Sequence, residues 1–445
     1  MKTHHTRTRS AAHHSRRAAL RGGAASTLGL LFRGLATGLP PAWLINPSAA
    51  RAQSMMETPI QTLILSTSSA GDPLNANCPG SYTASAENNP DLPSGPVELG
   101  GVTAQGAQAW GMLPSALRER LAFFHYGSRA VAHPEYAATM GFRGSVKNEV
   151  GNGTEMFASM VAQLTHESLG TLQQEPLPLC NEVLTFRGQP LQRVNPSDLQ
   201  ALFQGQEEQV GDLRSLRDDT LNRLYSGLRA EGSQIQKEFV DRYILSRDQA
   251  RAIGEQLGGL LSRLPTNPDE PNSVQDQVIA AVAVAKLKIA PVITIRIPFG
   301  GDNHQDETLT EEATQTLAGV AAISSLWDEL GAEGLRDSVS FATLNVFGRQ
   351  LVRNNNGGRD HNPDHAVMVA FGPRVNGGVY GGLNEYNVAR NIDPVSGAGV
   401  DSGGIGLEET QESAGRSLAS SLGISSEALE PRIQGGQAVS AFTRS

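Results

Sequence analysis

The chain has 445 residues, 36 of them basic and 45 acidic, and two cysteines. Residues 1–52 hold eight of the basic residues and no Asp or Glu, so the remainder carries 28 against 45, a net charge of −17. A body that acidic repels phosphate backbones, which excludes nucleic acid as a partner, and 39% hydrophobic with 18% charged residues excludes a disordered chain.

Ser15-Arg16-Arg17-Ala18-Ala19-Leu20-Arg21 resembles a bacterial twin-arginine export signal. The weakly apolar stretch after it, 22–45, is interrupted by Arg33 and Pro40-Pro41, whereas a spanning helix needs about 20 apolar residues. Ala50-Arg51-Ala52 is a small-residue cleavage pattern. Cutting is therefore expected after Ala52, with the twin-arginine translocation machinery as partner and the periplasm or exterior as destination. No later segment reaches membrane-spanning length, so the mature protein, 53–445, is expected to have no membrane span. In an oxidising compartment Cys78 and Cys180 could pair as a disulfide; two buried thiols are the alternative.

The apolar run 62–66 reads as a buried first strand, leading into a Gly-Asp-Pro-Leu-Asn loop at 71–75. A helix is predicted over 114–120, a strand over 121–124, a helix over 155–169 and a strand over 182–186. From 196 to 272 leucines recur at helical spacing among charges, which predicts a mostly helical insertion. Beyond it the pattern predicts an apolar helix over 274–287, a β-branched strand over 292–297, a helix over 309–330, and strands over 338–344 and 366–371. Strand, helix, strand in this spacing predicts an α/β fold with a mainly parallel central sheet flanked by helices.

The sequence has no phosphate-loop motif, no G-x-G-x-x-G after a strand, no H-E-x-x-H and no G-x-S-x-G elbow. Six histidines lie outside the export signal. Three of them adjoin acids in predicted strand-end loops: Asp302-x-His304, Asp360-His361 and Asp364-His365. Ligands of open α/β sheets bind beyond the strand ends. Imidazole with carboxylate is a donor set for Zn²⁺ and similar divalent cations. His125 reads as a satisfied structural histidine, while His133 is either structural or part of the same crevice.

The order of several short motifs resembles an uncharacterised secreted family similar to the alkaline phosphatase/sulfatase superfamily. The motifs are Gly71-Asp72-Pro73-Leu74-Asn75, His133 in a small loop, Gly301-Asp302-Asn303-His304, Phe347-Gly348-Arg349, Gly358-Arg359-Asp360-His361, Gly377 to Gly381 and Leu422-Gly423-Ile424. The resemblance implies an alkaline-phosphatase/sulfatase-like fold that binds one or two divalent metals (Zn, Ca, Mn or Mg) and hydrolyses phosphate or sulfate esters. By it Asp72 is a ligand from the first strand, Asp302 and His304 are the central pair, and His361 with Asp360 or His365 completes the site. Arg349 and His133 fall to substrate binding, Arg349 either meeting a small anionic ester or held in a salt bridge.

Two departures qualify that expectation. The residue before Phe-Gly-Arg is usually acidic in related sequences, and here it is Val346. No recognisable nucleophile motif follows Asp72, although Cys78 and Ser81 lie at a plausible distance. The alternative is therefore a catalytically inactive sulfatase-like fold serving as a periplasmic binding or assembly module.

Overall fold

The computed structural model describes residues 59–264 and 272–444. The export signal and cleavage site expected over 1–52, and the loop expected over 265–271, lie outside the described residues. Two compact units divide the chain: one comprises Pro47–Gln200 with Gly259–Ser445, and the other includes Ala201–Gly258.

The larger unit is built on seven strands: β1 (Thr62–Ser68), β2 (Leu121–Tyr126), β3 (Leu177–Pro178), β4 (Val292–Ile295), β5 (Val339–Asn345), β6 (Ala366–Phe371) and β7 (Gly378–Tyr380). Their order across the sheet is β7-β2-β6-β5-β1-β4-β3. Every residue of β1, β2, β4, β5 and β6 is buried, as expected of strands covered on both faces. The sheet is mixed rather than uniformly parallel. Six strands run one way, and β6 runs against both of its neighbours, pairing Ala366 with Tyr126 and Phe371 with Phe341. The segment before β6 therefore reaches the edge where β1, β2, β4 and β5 end. The strand predicted over 182–186 shrinks to Thr185–Phe186, which pairs with Gln189–Pro190 outside the main sheet. The edge is taken instead by β3, too short to carry a periodic signal.

Helix α1 (Phe157–Leu169) follows β2 and ends at Gly170 in the left-handed conformation. After the insertion come α4 (Val274–Lys286) and α5 (Thr310–Ala332). Ser273 and Asp276 cap α4 reciprocally, each side chain accepting the other's backbone N–H. Asp276 through Ala285 are all buried, which explains the apolar composition of that helix. Helix α6 (Thr410–Ser421) packs near the sheet's antiparallel side, where Thr410 accepts a hydrogen bond from the backbone of Gly127. The insertion itself is two helices, α2 (Pro196–Glu231) and α3 (Gln234–Leu261). They are joined side by side by the Tyr225–Tyr243 ring contact, by Arg251 on Asp218, and by Arg247 over the Tyr225 ring. Among the described residues no helix is long and apolar enough to cross a membrane.

One buried ion pair ties the loops at the strand ends to α5. Glu312 and Arg359 are both essentially unexposed, with Arg359 Nε donating to Glu312 Oε2 at 2.8 Å. The side-chain amides of Asn77 and Asn303 donate to the same carboxylate at 2.9 and 2.7 Å. A buried charge with this many partners is costly to orphan, whereas replacing the pair by apolar residues costs much less. Glu312→Ala is expected to lower unfolding free energy by about 3–5 kcal/mol in denaturant titration. The double change Glu312→Leu with Arg359→Met is expected to cost less than either single change, and the opposite ranking would remove the pair from this role.

Candidate functional site

The strand-end loops converge on three side chains, His133, Asp302 and His361, each offering one ligand atom within 4.8 Å of the others. His133 opens a single 3-10 turn, His133–Glu135. Glu135 holds that turn by accepting the backbone N–H groups of Val131 and Ala132 at 2.9 and 3.2 Å. Arg143 bonds this carboxylate and holds its pKa below the ordinary range. His133 Nδ1 lies 2.8 Å from the Ser69 carbonyl oxygen, just beyond β1. His361 Nδ1 lies 2.7 Å from the carbonyl oxygen of Val131. A carbonyl only accepts, so both rings carry a proton on Nδ1, and in the neutral form each presents the Nε2 lone pair. That is the arrangement by which metal-binding histidines are usually oriented.

The geometry around those lone pairs fits a cation. His361 Nε2 is buried and has no partner. His133 Nε2 stands 3.2 Å from Asp302 Oδ2, a spacing satisfied either by a proton on Nε2 or by a cation held between the two atoms. Tetrahedral ligands about 2.1 Å from one ion sit about 3.4 Å apart, close to this spacing. Burial is the main reason that His361 titrates below its ordinary range, helped by the charge of Arg349. Burial opposes the charge on Asp302, but the hydrogen bond and charge of Arg349, with His133 and His304, outweigh it and keep the carboxyl below its usual range.

Arg349 is fully buried and spends its guanidinium on its own chain. It donates to the carbonyls of Gly71 (2.6 Å), Ala70 (2.8 Å) and Arg359 (3.2 Å), and to Asp302 Oδ1 at 2.8 Å. Four of its five N–H groups are thus engaged. The salt-bridged alternative holds, and Arg349 is a support for Asp302 rather than a donor open to an ester. Phe347 forms the wall behind the site, stacked on His361 at 4.0 Å and edge-on to His133 at 5.0 Å. Gly71 has a positive φ of 63°, and a Cβ there would collide with the Phe347 ring.

The other residues singled out in the sequence take different places. His304 stands beside the three, Nε2 3.7 Å from Asp302 Oδ1 and Nδ1 3.1 Å from Asp360 Oδ1. Asp360 is kept ionised first by the Asn354 amide and then by His304. Asp72 is buried; its Oδ1 accepts the N–H groups of Phe299 and Gly301 at 3.2 and 2.6 Å, while Oδ2 has no partner. It shapes the loop carrying Asp302 and does not join the His133, Asp302, His361 group. His365 is not brought there either, since both of its ring nitrogens are occupied. Nδ1 meets the Asn75 amide at 3.0 Å and Nε2 meets His125 Nδ1 at 2.9 Å, while His125 Nε2 meets the Pro79 carbonyl at 3.0 Å. Cys78 and Cys180 are separate buried thiols, not a disulfide. Cys78 lies 3.3 Å from Ser81 Oγ, and burial pushes its thiol up to about 12. Cys180 lies 3.7 Å from Thr294 Oγ1 on β4.

Asn75, Asn354, Glu135 and Phe347 carried no signal of their own in the sequence. Three of them sit next to or inside motifs already singled out, and adjacency was the only available hint. Asn75 brackets the backbone of Arg349, accepting its N–H at 2.7 Å and donating to its carbonyl at 2.8 Å.

The fold and the site define an α/β protein with a His, Asp, His group at its strand ends whose donor atoms suit a divalent cation. Residues 122–398, more than half of the chain, match the family described as "Protein of unknown function (DUF1501)", and the chain belongs to that family. The matched region includes His133, Asp302, Arg349 and His361, and leaves out Asp72 and Cys78. No curated protein sequence matches the chain.

Burial lowers the pKa of His125 to about 4 and that of His365 well below its usual value. Both rings are therefore neutral in the folded chain and gain protons on unfolding. The stability that they contribute is complete above about pH 6.5 and falls with pH toward 4, by about 1.4 kcal/mol per histidine per pH unit. Denaturant midpoints measured from pH 8 to pH 4 are expected to fall across that window, less steeply in His125→Gln. A midpoint unchanged between pH 7 and pH 5 would contradict the neutral pair.

Proposed function

We propose that the protein is an exported hydrolase of phosphate or sulfate monoesters that works with a divalent metal held by His133, Asp302 and His361. The observation that carries the reading is the pair of imidazoles, each locked through Nδ1 on a backbone carbonyl, with the buried Nε2 of His361 left without a partner. Two nitrogens and one carboxylate favour Zn²⁺ or Mn²⁺ over Ca²⁺ and Mg²⁺, which prefer all-oxygen shells. When bound, such an ion would polarise the ester and acidify water.

The chain's own residues supply the rest. Asp360 fixes the proton of His304 on Nδ1, leaving Nε2 able to take a proton from attacking water or return one to the leaving oxygen. Cys78 and Ser81 are unsuited as nucleophiles, because both are buried and bonded to each other. Water is then the attacking group. Asp302 and Asp360 would repel an anionic ester in the absence of a cation, so the reading makes activity strictly metal-dependent. The resemblance of the strand-end motifs to alkaline phosphatases and sulfatases supports the choice of ester.

Purified protein is expected to contain about one equivalent of Zn or Mn by elemental analysis. Activity on a panel of alkyl and aryl phosphates and sulfates should vanish on chelation and return with the metal. His361→Ala should bind the ion at least about 100-fold more weakly without loss of folding. Protein that holds no metal and gains no activity with Zn²⁺ or Mn²⁺ would sink the proposal. We propose export from Ser15-Arg16-Arg17 on the same footing. Arg16→Lys with Arg17→Lys should retain the protein in the cytoplasm, and the exported form should begin at Gln53; unchanged export of the double variant would count against it.

A further inference from the structure

A shallow, open cleft of about 750 Å³ lies over Asn354 and Gln305, next to the His304–Asp360 pair, and nothing said so far gives it a role. Its wall is shared with the candidate site, because Asn354 Nδ2 donates both to Asp360 Oδ1 at 2.9 Å and to the His304 carbonyl at 3.2 Å. Gln305, the residue after His304, lines the cleft with Glu87, Glu307, Arg353, Asn355 and Asn356. The side chains of Gln305, Glu307, Asn355 and Asn356 make no hydrogen bond or ion pair within the described residues. Gln305, Glu307, Asn355 and Asn356 are all exposed. The frame behind them is fixed. Arg353 Nε donates to the Gly357 carbonyl at 2.7 Å, its NH2 donates to the Glu307 carbonyl, and its backbone N–H donates to Glu87. A Cβ at Gly358 would collide with the carbonyls of Asn303 and His304, so the two loops meet backbone to backbone.

The lining selects a chemical class by exclusion. No aromatic or aliphatic side chain faces the cleft, so it offers no stacking for a base or aryl ring and no burial for a lipid chain. Arg353, the cation in the lining, has its guanidinium bonded to the Gly357 and Glu307 carbonyls, and Glu87 with Glu307 leaves the lining net negative, which disfavours polyphosphates and polysulfates. Free carboxamides and carboxylates side by side offer donors and acceptors together, and that pairing is complementary to hydroxyl groups, each of which donates and accepts.

We propose that this cleft binds the sugar part of the substrate, so that the hydrolysed compound is a carbohydrate carrying a single phosphate or sulfate ester. The inference rests on the ester-hydrolase reading for the reacting group and adds the identity of the leaving group. The sugar hydroxyls bond to Asn355, Asn356, Gln305 and Glu307, and the bridging ester oxygen is directed toward His304. An apolar alcohol of equal charge gains none of these bonds.

The test separates the two ideas by using unesterified sugars first. Saturation-transfer NMR on the full chain, with a panel of neutral methyl glycosides of glucose, galactose, mannose and N-acetylglucosamine, should show transfer to at least one. The signal should be lost in the double variant Asn355→Leu with Asn356→Leu, whose exposed positions leave the fold intact. In hydrolysis, the sugar 6-phosphate or 6-sulfate should have a KM at least about tenfold below that of the ethyl ester, and the double variant should raise it about tenfold with kcat within about twofold. No transfer to any glycoside, or transfer unchanged in the double variant, overturns the sugar assignment. Ethyl and aryl esters turned over as well as sugar esters would overturn it too, with the hydrolase reading intact. Glycoside binding that the variant abolishes, in protein that turns over no ester with Zn²⁺ or Mn²⁺, would instead keep the cleft and remove the hydrolase.

Discussion

The buried guanidinium of Arg349 is the constraint on which the candidate site depends. It reaches the carbonyls of Ala70 and Gly71 beyond β1, the carbonyl of Arg359 before β6, and the carboxylate of Asp302 in the loop that follows β4. Three loops distant in sequence are thereby pinned to one planar group. Lysine would not replace it, because a single ammonium on a flexible stem cannot meet four acceptors spread over a plane. Removing this charge from water is expensive, and the cost is offset only while every acceptor stays in place. The position of Asp302 is therefore set by the fold as a whole and not by its own exposed loop.

The direction of β6 supplies the second half of the arrangement. Had it run parallel to β2 and β5, the segment 360–365 would lie at the opposite edge of the sheet, far from His133 and Asp302. Antiparallel pairing instead returns His361 to the edge where the other strands end. The same turn of chain places His365 on the buried side, and the turn between the two histidines, four residues apart, divides their roles. His361 faces Val131 and the Phe347 ring, whereas His365 is enclosed by Asn75 and His125.

What could be read from the sequence follows the physics of each signal. Long apolar runs announced β1, β4, β5 and β6 within a few residues, since strands buried on both faces must be apolar throughout. Asp302, His304 and His361 were legible as site candidates because acid and imidazole together in strand-end loops are chemically distinctive. The direction of β6 was not legible, because a buried run has the same composition in either direction. Nor could the sequence tell His361 from His365: both follow Asp, and only the atoms facing each ring nitrogen separate a presented lone pair from a satisfied one. Arg349 stood out by its motif, but an arginine that binds a ligand and one that binds four groups of its own chain look alike in one dimension.

The site's orienting partners are almost all backbone atoms or buried groups that need no ion to stay in place. Ser69 and Val131 contribute carbonyls, Arg349 anchors Asp302, and Asn75 clamps the strand that carries Arg349. Small metal domains that fold only on binding lack such supports, and their binding energy is spent on ordering the chain. Here the ordering is done by the sheet and the buried ion pairs, so a cation held by His133, Asp302 and His361, as proposed, would need only to close three side chains on a common point. Such a preformed group would leave binding energy available for differences between ions. Under the proposed function the acidic body would act as a filter: only a ligand whose charge is met locally, at one point beside His304, would gain by approaching it.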